Sequence, residues 1–438
     1  MRGGGRSVTR QRLDGGVTAL PWAGILGAAP DCVSDIPDVL DVSDPGVRPV
    51  VSSMSALSPH AQASLHTVQV LGGGSAGTGA HVRSLAEGLV ARGVRVTVCA
   101  PRGAELSYGF TSAGAHFAPT SARTEPEAVS MLRAVCADAD LVHAHGLRAG
   151  LLAALALGGR RRRIPLVVTW HTRAHTEGFR AQVMRLLERR VAKAAKVVLG
   201  ASSDLVERAR RRGARDARLA PVAIPAPRSA QDDGAAPGSP PPYGDDDRLH
   251  AKVRAELGAV ERPLVFTIGR LEPHQGHDSL LTAARAWRHL GPPPLLAIAG
   301  EGTRRAEMQH RIDTEALPVR LLGRRDDALR LLAAADVAVL PGSWEARSLF
   351  AQEALYAGVP LVATEVGGVP ELVGDAAVLV PYGDADALAA AVAGLLADPA
   401  RRVGLAAAGR AQAAAWPTED TTVAQVLSVY DELAHSGR

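Results

Sequence analysis

Two carboxylates, Glu345 and Glu353, bracket seven residues at the start of a predicted helix, within the stretch GSWEARSLFAQEALYAGVPLVATEVGGVPELV that covers residues 342–373. A helix N-terminus presents unpaired backbone N–H groups and the positive end of its dipole, which suits a phosphate or a departing anion. Carboxylates beside it accept hydrogen bonds from hydroxyls, the groups that a sugar or a ribose offers. A short apolar run over 359–363, the glycine pair Gly367 and Gly368, and a third carboxylate, Glu371, complete the segment. Anion donors and hydroxyl acceptors side by side describe a nucleotide-sugar pocket. A solvated helix start whose acids complement the dipole accounts for one Glu, but not for the whole pattern.

Upstream, Arg270 lies in Ile-Gly-Arg-Leu-Glu-Pro-His-Gln-Gly (268–276), between a strand and a helix that opens at Asp278. Fixed positive charge beside a helix start suits a diphosphate, and a guanidinium supplies it; a plain surface charge is the alternative. Gly300 and Glu301 follow another strand, on the edge where α/β sheets meet their ligands. In the first half, the glycine-rich run over 72–79, which includes Gly77 and Gly79, joins a strand to a helix in a layout close to a dinucleotide fingerprint. Its spacing fits several registers and no acidic residue closes the second strand, which weighs against a dehydrogenase. His143-Ala-His145 and Trp170-His171-Thr172 fall at strand ends. His171 there is a candidate to bond a sugar hydroxyl or position an acceptor, with a buried structural histidine as the alternative. No metal is expected at His143-x-His145, on the reading that the two rings leave the strand in opposite directions. Asp138-x-Asp140 and Asp384-x-Asp386 are read as caps.

These residues need a frame to hold them. Short apolar runs at 67–71, 94–99, 140–143, 165–169 and 196–199 alternate with helical stretches, and the alternation resumes at 263–268, 295–299, 319–322, 337–340, 361–364 and 377–380. That pattern predicts βαβ units and parallel sheets. Between the two sets, residues 224–248 carry Pro-Ala-Pro, Ser-Pro-Pro-Pro and Asp-Asp-Asp, which is linker chemistry. The expected organisation is an extension without packing period over 1–60, an α/β domain over 67–223, a linker over 224–248, a second α/β domain over 249–415 and a final helical segment over 416–438. No internal repeat is evident.

The chain of 438 residues exceeds one ordinary core. Its net charge of +4 is slight for that length, so bulk electrostatics do not nominate nucleic acid. Basic runs at 160–163 and 208–212 are read as solvated helix ends, with attraction to anionic lipid head groups as the functional option. Cys32, Cys99 and Cys136 form no close-spaced metal pattern and fit a reducing cytoplasm. No apolar run reaches the length that spans a bilayer. Arg2, Arg6, Arg10 and Arg12 ahead of a mildly apolar 17–29 invite a signal-peptide reading, which Asp14 and Pro21 interrupt.

The segment from Glu345 to Glu353 resembles the Glu-x7-Glu signature of the retaining glycosyltransferases of family 4, in particular bacterial mannosyl and glucosyl transferases of the cytoplasmic membrane face. The resemblance implies the GT-B fold, in which two Rossmann-like domains with parallel sheets face a central cleft and a final helix crosses back to the first domain. It also implies that Glu345 contacts the donor sugar, Glu353 the nucleotide ribose, and the amides of Ala346, Arg347, Ser348 and Leu349 the sugar and diphosphate. By the same resemblance, Arg270, Gln275, Gly300 and Glu301 line the diphosphate and nucleotide side, Gly77 and Gly79 face the donor phosphates, and His171 contacts the donor sugar. The chain departs from the family where Gly-Phe-Gly usually follows the first Glu, so a left-handed conformation there would strain Ala346. It departs again at Gln275, where a lysine is usual: either His274, His277 or Arg347 compensates, or the diphosphate is bound and stabilised as a leaving group more weakly. The expected activity is transfer of a hexose from a nucleotide-diphosphate sugar to a glycan, lipid-linked or small-molecule acceptor, without cofactor, metal or nucleic acid, in the cytoplasm and with membrane contact as an option. The alternatives are a non-catalytic nucleotide-sugar-binding protein of the same fold and a nucleotide-sugar epimerase.

Overall fold

The computed structural model describes residues 64–73, 76–120, 124–159, 163–173, 178–223 and 247–435. The extension expected over 1–60, nearly all of the expected linker and most of the basic run at 160–163 lie outside them. In the first half, β1 (His66–Leu71), α1 (Ala76–Ala91), β2 (Arg95–Ala100), α2 (Arg102–Tyr108), β3 (His116–Pro119), α3 (Glu125–Val135), β4 (Leu141–His145), α4 (Leu147–Leu157), β5 (Leu166–Trp170), α5 (Gly178–Ala194), β6 (Val197–Gly200), α6 (Ser203–Arg211) and β7 (Ala217–Leu219) follow one another. The second half runs α7 (Asp247–Leu257), β8 (Leu264–Ile268), α8 (His277–Trp287), β9 (Leu295–Ala299), α9 (Arg305–Thr314), β10 (Val319–Gly323), α10 (Ala328–Ala333) and β11 (Val337–Leu340). It continues with α11 (Leu349–Ala357), β12 (Leu361–Thr364), α12 (Val369–Val373), β13 (Val378–Val380), α13 (Ala385–Ala397), α14 (Pro399–Ala414) and α15 (Glu419–His435).

Strands rich in Val, Leu and Ala pair in parallel, and every residue of β4, β5, β9 and β12 is buried. Burial on both faces is what helices on either side of a parallel sheet impose. The first sheet has the order β3-β2-β1-β4-β5-β6-β7 and the second β10-β9-β8-β11-β12-β13. The chain direction across each sheet therefore reverses once, between β1 and β4 and between β8 and β11. Those two gaps are where a doubly wound sheet opens a crevice at the carboxyl ends of its strands. The edge strands β3 and β7 escaped the sequence reading because their residues are only partly covered, so no apolar run marks them.

The last helix, α15, belongs to the first sheet's core: Val423, Val426, Val429 and Tyr430 pack with Leu85, Leu89 and Val167. Ion pairs from Arg92 to Asp420 at 2.5 Å and from Arg218 to Glu432 at 2.7 Å tie its rim. Asp384 caps α13 as expected, its carboxylate accepting from Ala387 N at 2.8 Å. Asp140 does something else: it accepts from His66 N at 3.0 Å and so ties β1 to the start of β4. In the basic run at 208–212, Arg208 and Arg212 both reach the buried Glu188, each at 2.7 Å. Those two guanidiniums join α5 to α6 and are not held out for lipid.

Removing the buried acid strands two cations, whereas the exposed pair of Arg210 with Glu207 is screened by water. Glu188→Ala should therefore cost about 1–3 kcal/mol in denaturant unfolding, and Glu207→Ala less than about 1 kcal/mol. Equal effects would remove Glu188 from the framework.

Candidate functional site

At the crevice of the second sheet, the loops that follow β8, β9, β10 and β11 are joined by their backbones. Gly269 N donates to Ala299 O at 3.0 Å, Leu271 N to Glu301 O at 3.0 Å, and Gly300 N to Gly323 O at 2.7 Å. Gly300 has a φ of +141°, and a Cβ there would stand 1.9 Å from Gly269 O, so only glycine allows the contact. Ser343 N donates to His274 O at 3.0 Å, which fastens the Arg270–Gln275 loop to the loop that carries Glu345. Arg270 stands out from this surface with its side chain 76% exposed, 3.8 Å from Glu272. Gln275 is half-buried, with its amide oxygen beside Gly269.

Glu345 and Glu353 are both half-buried, Glu345 ahead of α11 and Glu353 in its second turn. No hydrogen bond or ion pair reaches either carboxylate among the described residues. Burial without a partner pushes both up to about 7. Between them, Ser348 caps α11 by accepting from Ala351 N at 3.4 Å, and the first-turn amides of Leu349 and Phe350 have no intrahelical partner. Ala346 is not strained: among the described residues Ala316 is the one non-glycine with a positive φ. Ala346 is instead buried and packs with the first domain's core, together with Trp344. Arg347 points away from the diphosphate loop, donating to Val222 O at 3.1 Å and lying 5.8 Å above the Trp416 ring. His277 is also engaged, bonded at 3.2 Å to Arg270 O, and burial lowers its pKa. Neither is therefore placed to stand in for the usual lysine.

The first sheet's crevice holds a histidine cluster. His143 and His145 are two residues apart on β4, and residues so spaced share one face of a strand. Their ring centroids lie 4.3 Å apart, which corrects the expectation that they diverge. A chain of bonds runs through their ring nitrogens, and one proton arrangement satisfies all of it. Gln69 Nε2 donates to the Tyr430 hydroxyl at 3.1 Å, and that hydroxyl donates to His143 Nδ1 at 2.6 Å. The N–H at His143 Nε2 then donates to Thr169 Oγ1 at 2.6 Å. With the Gln69 amide so oriented, its Oε1 accepts from His145 Nε2 at 3.0 Å, which leaves His145 Nδ1 as a lone pair 3.3 Å from His171 Nε2. His81, from α1, stands edge-on to His171 and His145. Burial lowers all four imidazoles, His81 to about 4 and His143 to about 3, so they are neutral at pH 7. Gly77 and Gly79 lie inside α1 rather than in a loop. A Cβ at Gly79 would meet the Tyr108 ring at 2.1 Å, so close packing accounts for that glycine.

The two crevices are held face to face by side chains to which the sequence reading gave no such role. Trp344 Nε1 donates to Asp204 at 2.8 Å across the domains, and the Arg173 guanidinium lies 5.3 Å above the Trp344 ring. Glu371 accepts from Ser203 N at 2.9 Å. The glycine pair belongs to this contact, since a Cβ at Gly368 would strike Ala346 O at 2.3 Å and Ser202 Cβ at 2.6 Å. Trp344 adjoins Glu345 in sequence, and Arg173 follows His171 by two. The contact therefore sets the distance between the proposed halves of the site.

Facing doubly wound sheets with motif loops at both crevices define the GT-B architecture. A solved structure of the Anabaena protein Alr3699/HepE in complex with UDP and glucose superposes with a TM-score of 0.70 at 20% identity, over 84% of this chain and 100% of that one. Residues 251–412 match the family model described as glycosyl transferases group 1, and residues 76–225 match a glycosyl transferase 4-like domain. An alpha-maltose-1-phosphate synthase of Mycolicibacterium smegmatis is 30% identical over 299 residues, covering 62% of this chain and 73% of the relative. The chain belongs to this glycosyl transferase family. From the same organism, a GDP-mannose-dependent alpha-(1-6)-phosphatidylinositol monomannoside mannosyltransferase is 32% identical over 216 residues, 43% of this chain and 55% of that protein. The chain spans about half the length of the curated relatives it first matches.

The raised carboxylates have a consequence for pH. An acid whose pKa is higher folded than unfolded contributes stability that is complete below its ordinary value near 4.5 and is lost as pH rises through about 7. The Glu345→Gln/Glu353→Gln variant removes that loss. Its melting temperature should gain on the wild type between pH 5 and pH 8; a difference that stays flat over this range would mean the carboxylates are solvated.

Proposed function

We propose that this protein is a retaining glycosyltransferase that moves a hexose from a nucleotide-diphosphate sugar to an acceptor hydroxyl. The observation that carries the reading is the pair of unpartnered, half-buried carboxylates flanking the α11 N-terminus, with the exposed Arg270 on the adjoining loop. In this reading Glu353 accepts from the ribose hydroxyls and Glu345 from the hydroxyls of the donor sugar. Arg270 and the amides at the start of α11 meet the diphosphate and stabilise the charge that grows on it as it leaves. The anomeric carbon–oxygen bond to the diphosphate breaks while a bond to the acceptor oxygen forms on the same face. The acceptor proton passes to the departing phosphate oxygen. His171, neutral at pH 7, orients the sugar or the acceptor from the opposite domain.

A lipid-linked acceptor is the reading favoured by α5. That helix exposes Phe179 at 77% and Leu186 at 66% among the exposed Arg180, Arg185, Arg189 and Arg190. Its one acid, Glu188, is buried and paired. Apolar side chains amid cations that have no ion pair among the described residues suit an anionic membrane surface. Among the described residues no helix is long and apolar enough to cross a membrane.

The direct test is a screen of UDP-, GDP- and ADP-sugars for thermal stabilisation, followed by product analysis with the donor that binds. Binding with neither transfer nor donor hydrolysis would support a non-catalytic protein instead. With that donor, Glu353→Ala and Arg270→Ala should each weaken binding by about 1.5–3 kcal/mol, the usual worth of a bond to a charged group. Unchanged nucleotide affinity in both variants would remove these residues from the site.

Gln275→Lys adds one charge beside Gly269 where relatives by resemblance carry lysine. Nucleoside diphosphates should bind more tightly to it, with a gain that shrinks as salt is raised, while nucleosides without phosphate should bind as before. Weaker diphosphate binding in a folded variant would show that residue 275 does not face the phosphates.

A further inference from the structure

Among the described residues, His81, His145 and His171 each offer one ring nitrogen, and the three nitrogens lie within 4.8 Å of one another. They come from three separate elements: α1, the end of β4, and the residue that follows β5. Their ring centroids form a nearly equilateral triangle with sides of 5.4, 5.5 and 5.8 Å. Zinc bonds imidazole nitrogen at 2.0–2.1 Å, and a tetrahedral arrangement then sets ligand nitrogens about 3.3–3.4 Å apart. His145 Nδ1 and His171 Nε2 stand at 3.3 Å. The His81 nitrogen lies within 4.8 Å of both and closes on them when a cation is bound.

The protonation also suits a metal. With Gln69 Oε1 accepting from His145 Nε2, the Nδ1 lone pair of His145 faces His171 and can be given to a cation. A ligand histidine whose other nitrogen donates to an oxygen is the usual outer arrangement around zinc, and it fixes ring orientation. The rings of His81 and His145 are buried while that of His171 is half-exposed, which gives the site one side open to solvent. The described residues provide three imidazoles here and no carboxylate, a donor set that selects Zn²⁺, Co²⁺ or Ni²⁺ over Mg²⁺ or Ca²⁺.

We propose that His81, His145 and His171 form a binding site for one borderline-soft divalent cation, Zn²⁺ foremost, with the fourth position open to water or a ligand. On binding, the proton on His171 Nε2 is carried to Nδ1, and both His145 Nδ1 and His171 Nε2 donate to the metal. The proposal stands on the three rings and shares one residue, His171, with the donor-site reading.

The test uses tag-free full-length protein, stripped with a chelator and dialysed. Titration with Co²⁺ should give the visible absorption of a four-coordinate site, saturating at one equivalent and bleached by Zn²⁺. His171→Ala, at the half-exposed corner, and His81→Ala should each abolish the band and weaken Zn²⁺ binding on the order of tenfold or more. His310→Ala, an exposed histidine on α9, should leave it unchanged. Melting curves without metal identify a variant that fails to fold, and the other variant then decides. No band in the wild type, or a band that survives both cleft substitutions, overturns the site. Nucleotide binding measured on the same samples reports separately on the donor-site reading.

Discussion

A row of buried polar side chains on one face of the first sheet constrains much of the rest of the molecule. Gln69 and His143 sit opposite each other on paired strands, and Thr169 stands opposite His145. Each would be costly to bury without a partner. They are satisfied in series, from the Gln69 amide through the Tyr430 hydroxyl to His143 and Thr169. The helix that brings Tyr430 is the last in the chain, so the interior of the first domain depends on residues that follow the whole of the second.

The second domain solves a different problem. Its loops are joined by backbone bonds at glycines, which makes a rigid floor, and among the described residues two carboxylates beside it are left without internal partners. Arg270 reaches outward, and Glu345 and Glu353 remain unpaired at a cost visible in their raised pKa values. Unmet polar groups at the crevice are what a polar ligand would meet. The Trp344 contact with Asp204 and Arg173 sets how far that crevice stands from the histidines.

Parallel sheets were legible in the sequence because their central strands are buried on both faces and read as continuous apolar runs. The edge strands β3 and β7 were not, since partial cover leaves no such run. The shared strand order of the two halves is also invisible as a repeat, because burial pattern rather than residue identity is what matches. Glu345, Glu353, Arg270 and His171 could be singled out from motif spacing. Trp344, Asp204, Arg173 and Tyr430 could not, because each acts across a distance of more than a hundred residues and no local pattern reports such a partner. The glycines at 79, 367 and 368 stand where a Cβ would collide with a neighbour, a packing demand that no local pattern in the sequence announces. Period-two geometry, properly applied, already puts His143 and His145 on one face.

The placement of α15 bears on the order in which the molecule can form as it is made. When residues up to Leu219 have left the ribosome, the first sheet is complete in strands, yet Gln69 and His143 still lack Tyr430 and the apolar face that Val423 and Val426 cover is open. The second sheet's core draws on residues up to Trp416, just after α14, so it can close while the first domain still waits. A nascent chain therefore carries an unfinished N-terminal half until its last helix emerges. That half stays exposed to proteases and holding chaperones through the synthesis of some two hundred further residues, from β7 to Tyr430.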